Sequence, residues 1–217
     1  MRDEDPVVLH VAHSVPVTTA EGPGRRFALW VQGCTLRCPG CCNPAAFAPG
    51  RGPGVRVDDL VEQLRDARAR HGIVGLTLLG GEPLQQRPAV TALCRAAQQL
   101  GLGVIVFSGY RWAEASVLPG FDVLWASIDT LVDGRYDAEQ PEPGPDDGGR
   151  RFIGSRNQRL LHRTARYRDP DAWRGPAQAE IHVDPRGRVS VHGEPGAVAS
   201  VLAQLRRSPG STVPGDR

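Results

Sequence analysis

The sequence predicts an α/β fold built on a parallel sheet, and three observations point there. Short runs such as residues 103–107 (Gly-Val-Ile-Val-Phe) are apolar throughout, which suits strands buried on both faces. Between them lie segments whose apolar residues recur every three or four positions, the mark of an amphipathic helix. Alternation of the two is the signature of strand–helix units. Finally, the residues with chemical potential, Cys34, Glu82, Ser108 and Asp129, fall at the ends of successive predicted strands, where sites gather in such sheets.

Taken in order, residues 7–17 are rich in β-branched side chains and predict an edge strand, broken by Gly22-Pro23-Gly24. Residues 26–31 predict the first core strand, which leads into a loop holding four cysteines; residues 44–54 form a Gly/Pro-rich connector. Asp58 or Asp59 predicts a helix start, with Glu62 spaced to complete a capping box on Asp59. Leu60, Val61, Leu64 and Ala67 mark the apolar face of this helix and Gly72 its end. Residues 75–79 predict the second strand, which stops at Gly80-Gly81-Glu82-Pro83. Pro88 suits a first helical position; Val90, Leu93, Ala97 and Leu100 repeat at helical spacing up to Gly101, with Cys94 on the same side as a core thiol.

The third strand, residues 103–107, ends at Ser108-Gly109-Tyr110. A weaker helical stretch spans 112–118, and residues 122–129 predict a further strand with Val123, Trp125, Ser127 and Asp129 on one face. Residues 138–149 are low in complexity and predict a mobile loop. Ser155 and Gln158 have capping-box spacing and predict a helix. It would carry Arg156, Arg159, Arg163, Arg166 and Arg168, either as a solvated face or as a docking face for an acidic partner. Residues 179–192 read as a hairpin in which His182 and His192 are ordinary strand residues, and 197–205 as a short last helix. The expected organisation is a single domain over 1–207, with its core at about 26–183 and a disordered tail at 208–217. Five or six strands are too few for a closed eight-stranded barrel.

Composition removes several classes of function. The 217 residues carry a net charge of +2, which gives no electrostatic footprint for nucleic acid or for a membrane surface. All 26 basic residues are Arg, so Schiff-base chemistry on a lysine is excluded. Five cysteines, four of them within residues 34–42, are not a disulfide framework and suit a reducing compartment and a metal. No apolar run approaches the length of a membrane span, and the opening residues 1–6 have no signal-peptide apolar core. A cytoplasmic protein is expected.

The chemistry is concentrated in Gly33-Cys34-Thr-Leu-Arg-Cys38-Pro-Gly-Cys41-Cys42-Asn43-Pro44. Three cysteines at C-x3-C-x2-C spacing let one short loop direct three thiolates at one metal centre. Thiolates are the ligands of iron–sulfur clusters, and three of them leave one iron of a four-iron cluster open, the mark of a reactive site. A structural zinc site completed by Cys42 or a distant His, or plain redox or structural thiols, use the same residues. The second motif, Gly80-Gly81-Glu82-Pro83, ends a strand one strand–helix unit later; alone it is a common turn.

Together the two motifs resemble the radical S-adenosylmethionine (SAM) superfamily, and within it the small activating enzymes that install glycyl radicals, above all the anaerobic ribonucleotide reductase activators. Three further stretches are similar to that family: residues 107–110 (Phe-Ser-Gly-Tyr), 129–134 (Asp-Thr-Leu-Val-Asp-Gly) and 154–159 (Gly-Ser-Arg-Asn-Gln-Arg). The resemblance implies a partial, curved (β/α)6 barrel, to which the pattern of residues 179–205 adds a C-terminal β-hairpin and short helix. It implies one [4Fe-4S] cluster on Cys34, Cys38 and Cys41, with SAM held by Gly80, Gly81, Glu82 and Pro83 near its methionine amino group. Ser108 and Asp129 are expected at the carboxylate or ribose, with Asn43 and Asn157 as weaker contacts. Reductive cleavage of SAM to a 5′-deoxyadenosyl radical is implied, with a glycyl-radical enzyme as protein substrate and flavodoxin or ferredoxin as electron donor. Cys42 stands where family members often carry an aromatic residue, and the loop before Arg150 is longer than expected. A stand-alone biosynthetic radical SAM enzyme acting on a small molecule or peptide shares every one of these motifs; a zinc-bound interaction module is the reading from another class.

Overall fold

The computed structural model describes residues 6–50, 52–183, 187 and 189–207. The expected tail and most of the hairpin turn (184–186 and 188) lie outside the described residues. The core is a seven-stranded sheet in the order β3-β1-β2-β4-β5-β6-β7. Its strands are β1 (Val8–Thr18), β2 (Arg26–Val31), β3 (Gly54–Arg56), β4 (Gly75–Gly80), β5 (Gly103–Ser108), β6 (Thr130–Asp133) and β7 (Arg159–His162). The four central strands β2, β4, β5 and β6 run parallel; β1, β3 and β7 are antiparallel additions at the two sides. A separate hairpin, β8 (Ala179–Val183) with β9 (Val189–Gly193), is followed by α5 (Pro195–Arg207).

Helices α1 (Val57–His71) and α2 (Arg87–Gln99) cover one face of the sheet. Side chains alternate across the strands: Phe27, Leu29 and Val31 of β2 and Val104 and Val106 of β5 pack under these helices with Leu60, Leu64, Val90 and Leu93. The opposite face is covered by irregular chain. There Ile105 and Val132 meet Ile153, Tyr167 and Trp173, and the Trp173 indole N–H donates to the Tyr167 carbonyl. Cys94 is fully buried in the helical face, as expected of a core thiol. Among the described residues no helix is long and apolar enough to cross a membrane.

Several expectations are corrected. The first strand is not an edge, because β3, formed by the end of the Gly/Pro-rich connector, pairs with it. Helix α1 begins at Val57, with Arg56 at the cap position and no side-chain cap; Asp58 and Asp59 sit in the first turn, where they favour the positive helix terminus. The weaker helical stretch at 112–118 is a single short turn, α3 (Trp112–Ala115). The stretch 122–129 is not a strand: α4 (Phe121–Trp125) follows Gly120 in a left-handed conformation, and burial of Phe121 and Leu124 has helical rather than alternate spacing. The strand begins later, at Thr130. The Ser155–Gln158 pair does not open a helix. The Gln158 side chain does accept from the Gly154 and Ser155 N–H groups, but the chain then enters β7. Local capping chemistry was outweighed by pairing with β6, which buries Leu131 and Val132. The five arginines therefore lie along β7 and its flanking turns. Residues 138–149 carry their own order: Arg150 grips the Glu142 carboxylate at 2.6 and 3.0 Å, and Pro141 bridges to Ser155.

One buried cation fixes the lower end of the parallel strands. Arg26, inaccessible to solvent, donates to Thr77 Oγ1, the Pro23, Leu76 and Gly103 carbonyls and the Tyr167 hydroxyl. Its guanidinium thereby joins β2, β4, β5 and the segment behind the sheet, with no carboxylate among its hydrogen-bond partners in the described residues and Asp129 acting on it only at longer range. Arg26→Met removes these bonds and leaves several buried acceptors unmatched, so it should lower the unfolding free energy by about 3 kcal/mol; urea unfolding of the two proteins measures this directly.

Candidate metal and cofactor site

Parallel pairing brings four loops to one edge. Val31 is level with Gly80, Leu78 with Val106 and Ser108 with Asp133. Cys34, Glu82 and Ser108 therefore emerge side by side from the ends of β2, β4 and β5.

The cysteine loop is anchored at its base, where Gly33 N–H donates to the Ala46 carbonyl at 2.8 Å and Cys34 N–H to the Phe47 carbonyl at 3.1 Å. Arg37 and Gly40 both take positive φ, 47° and 72°. These reversals coil the short segment and keep Cys34, Cys38 and Cys41 in one loop, although their sulfurs do not all lie within 4.8 Å of one another; Gly permits this conformation freely, whereas at Arg37 it is strained. Cys34 is buried, Cys38 and Cys41 are partly exposed and Cys42 is exposed. Cys41 is held below the ordinary thiol range, first by the Cys42 S–H that donates to its sulfur; the Asn43 backbone N–H adds a contact at 3.4 Å. Cys42 is pushed up correspondingly and stays protonated. Burial pushes Cys38 up. Cys41 and Cys34 reinforce this by repulsion, while the Tyr136 backbone N–H and the Arg135 cation oppose it.

The Gly80–Pro83 turn is fastened to this loop through its backbone. Gly81 N–H donates to the Val31 carbonyl at 2.8 Å and Glu82 N–H to the Gly33 carbonyl at 2.9 Å. A Cβ on Gly81 would collide with the Gly33 carbonyl, and one on Gly80 would lie 2.6 Å from Trp30 Cβ. Both positions therefore require glycine for a close approach of backbones, and Gly80 also has φ 100°. Pro83, buried, opens a 3-10 turn for which Glu82 is the cap.

Glu82 is 1% exposed. Its Oε1 accepts from Leu84 N–H and Ser108 Oγ–H, each at 2.9 Å, and its Oε2 from Gly109 N–H at 2.8 Å. Burial raises its pKa to about 7, against the lowering effect of those donors and of Arg135. Ser108 spends its proton on Glu82 and accepts from Tyr110 N–H at 3.0 Å. Asn43 lies against the sulfurs, its side-chain amide 3.4 Å from Cys42 Sγ.

Asp129 is not at this edge, which corrects its placement. It precedes β6 and sits beside Val104, with which it exchanges two bonds, Asp129 N–H to the Val104 carbonyl and Val104 N–H to Asp129 Oδ2. Its Oδ1 accepts from Thr164 Oγ1 at 2.6 Å. Val104 lies four residues before Ser108, about 13 Å along a strand. Asp129 is thus a bracket at the opposite end of the sheet, misplaced because its strand was drawn eight residues early.

The acid at the correct end is Asp133, fully buried, which accepts from Trp112 N–H at 2.7 Å and pairs with Arg159. Other residues the sequence reading passed over also assemble here. Gln85 donates to Thr35 Oγ1 and accepts from Thr35 N–H, and Gln86 donates to the Gln32 carbonyl, so both glutamines tie the Glu82 turn to the cysteine loop. Arg135, held bidentately by Glu114 at 2.8 and 3.0 Å, places a cation that acts on both Cys38 and Glu82. Asn157 donates to the Arg135 carbonyl, and its Oδ1 is buried without a hydrogen-bond partner. The signal for Gln85 and Gln86 was their position just after Pro83-Leu84, in the turn that Glu82 caps; Arg135 had none in isolation.

Residues 20–161 match the family described as a 4Fe-4S single cluster domain. The chain is also 31% identical over 157 residues to the anaerobic ribonucleoside-triphosphate reductase-activating protein of Vibrio cholerae, covering 68% of this chain and 94% of that protein. This chain belongs to the radical SAM activating-enzyme family. The protein of the same name from Haemophilus influenzae is 33% identical over 162 residues, 68% of this chain and 94% of its own. That of Escherichia coli K12 is 32% identical over 137 residues, 59% and 85%. In this family member the match ends at the close of β7, so the hairpin and α5 lie beyond the matched region.

Glu82 gives the site a pH signature. Its pKa is raised from 4.5 to about 7, so the folded state holds a proton that the unfolded chain releases. The associated stability is present in full below about pH 4.5 and is lost as pH rises through about 7, on the order of 3 kcal/mol in the protein alone. Glu82→Gln should abolish that slope in unfolding midpoints measured from pH 4.5 to 8. Gly81→Ala should separate the two loops and lower iron retention after reconstitution, read as iron per chain against wild type.

Proposed function

We propose that this chain binds one [4Fe-4S] cluster through Cys34, Cys38 and Cys41 and cleaves SAM reductively to generate a glycyl radical on a partner enzyme, an anaerobic ribonucleotide reductase. The observation that carries this reading is that the cysteine loop, a side-chain-free Gly80-Gly81 turn and Ser108-Gly109 follow neighbouring parallel strands at one sheet edge. The residues fit the cluster in donor chemistry: three thiols stand in one short loop, Cys41 is held below the ordinary thiol range by the Cys42 S–H and the Asn43 N–H, and the Arg135 cation acts on Cys38.

When bound and reduced, the cluster supplies one electron to the sulfonium of SAM, giving methionine and a 5′-deoxyadenosyl radical. The chain supplies the setting. Cys34, Cys38 and Cys41 provide the thiolates, and Asn43 with the Cys42 S–H steadies their charge. Gly80 and Gly81 open backbone polar groups to the methionine part of SAM, and Pro83 stiffens the turn. Glu82 braces that turn against Ser108 and Gly109, keeping both loops at a fixed separation. Arg135 provides the positive charge that offsets an anionic group. The same reading makes residues 1–207 one catalytic domain with its core at 26–183, and the sheet a partial (β/α)6 barrel open at this edge. It places the enzyme in the cytoplasm, with flavodoxin or ferredoxin as electron donor.

One observation favours a second reading, a stand-alone enzyme acting on a small molecule or peptide. Tyr136 and Ala138 lie over Gly40, within 3.4 Å of the space its Cβ would occupy, so the loop after β6 partly covers the cysteines.

Anaerobic reconstitution with iron and sulfide, reduction and addition of SAM should yield 5′-deoxyadenosine and methionine. Cys38→Ala should lower both at least 100-fold. Adding a purified anaerobic reductase should produce the electron-paramagnetic signal of a glycyl radical. SAM turnover without that signal supports the second reading; absence of both cluster and turnover overturns the first.

A further inference from the structure

The C-terminal hairpin meets the turn after β1 through a group of side chains that the cysteine site does not use. Glu180 and His182 share one face of β8, and His192 stands opposite Glu180 in the register of β9. One potential ligand atom from each of the three lies within 4.8 Å of the others. The two imidazoles stack, with centroids 4.6 Å apart and planes inclined by 24°. Glu180 is already arranged as a carboxylate: its Oε1 accepts from Thr19 N–H and Thr19 Oγ–H, both at 2.8 Å, and its Oε2 faces His182 Nε2 at 3.1 Å.

His192 supplies the deciding observation. Its Nδ1 lies 3.2 Å from Glu21 Oε1. A carboxylate on Nδ1 places the ring proton there and leaves Nε2 with a bare lone pair. That Nε2 is buried and has no hydrogen-bond partner among the described residues, in a side chain only 9% exposed. A buried unmatched nitrogen is costly, and a carboxylate on the far nitrogen is the usual support of a metal-bound histidine.

We propose that Glu180, His182 and His192 form a binding site for a divalent transition-metal ion, with Glu21 orienting His192. Two neutral imidazoles and one carboxylate are the donor set of Zn2+, and three protein ligands leave a fourth position for water. Bonds of about 2.0–2.1 Å require the donor atoms to draw closer than their present span, which side-chain rotation on a two-stranded hairpin allows. Because Thr19 and Glu21 belong to the turn after β1, the ion fastens the hairpin to the main sheet, beside Trp30, whose ring lies 5.6 Å from that of His192.

None of the thiols takes part, so the test separates this site from the cluster. Co2+ is titrated anaerobically into the full chain carrying its cluster, and into the full-length Cys34→Ser/Cys38→Ser/Cys41→Ser variant. One equivalent should bind in both, displaceable by Zn2+, with ligand-field bands but no thiolate charge transfer. Zn2+ at a hundredfold excess over Kd should raise the unfolding midpoint by about 5–10 °C. His192→Ala and His182→Ala should weaken binding at least 100-fold. Glu21→Gln, the milder change, should weaken it about 10–100-fold with unchanged stoichiometry, and decides the matter if a histidine variant does not fold. The proposal is overturned if neither protein binds a thiolate-independent equivalent, or if the folded variants bind as tightly as wild type.

Discussion

The register of three parallel strands is the constraint on which the structure depends, and a buried guanidinium holds it. Arg26 reaches across β2, β4 and β5 at their lower ends and satisfies its donors on neutral oxygens. A charge so deeply buried cannot slide one residue along the sheet, since any shift would strand its donors. A fixed lower end sets the upper end. One residue of slip would also turn every side chain to the opposite face, and the apolar alternation that packs Phe27, Leu29 and Val31 under the helices would be lost.

At the upper end a second buried group, Glu82, links what the register has aligned. Its carboxylate joins the Gly80–Pro83 turn to Ser108 and Gly109, while Gln85 and Gln86 reach back to the cysteine loop. Leu36 of that loop packs toward Gly109, where a Cβ would lie 2.5 Å from Leu36 Cδ1. Loops that follow three different strands are thus locked by contacts among small residues, backbone amides and one acid. Such fixed spacing would suit the oriented one-electron reaction proposed for this site. The group also carries a cost, because a buried carboxylate is stable here chiefly when protonated, and its donors only partly offset burial.

The hairpin is a separate unit, joined to the sheet mainly through polar contacts. Arg151 pairs with Glu194 at 3.1 Å, Thr19 with Glu180, and His192 with Glu21. Its exposed Ile181, Val183 and Val189 show that a two-stranded ribbon has too little area to bury its own apolar side chains. A metal ion at its junction with the turn after β1 would supply the missing attachment.

Much of this protein was legible in its sequence. Apolar runs at 26–31, 75–79 and 103–107 marked the strands found at Arg26–Val31, Gly75–Gly80 and Gly103–Ser108, and helical periodicity gave Leu60, Leu64, Val90 and Leu93 as core. The spacing of Cys34, Cys38 and Cys41 and the Gly80-Gly81-Glu82-Pro83 turn could be read as a candidate site from sequence, because both are local patterns within a few residues, and the parallel register brings their two loops to one edge. The sequence alone could not place Asp129, or the strand after Gln158, since helix or strand in short ambiguous segments is decided by which partner strand lies alongside. Nor could it join His192 to His182, Glu180 and Glu21, or Arg135 to Cys38 and Glu82. Those residues come from elements far apart in the chain, and only the folding of the sheet and the docking of the hairpin bring their charges within reach of one another.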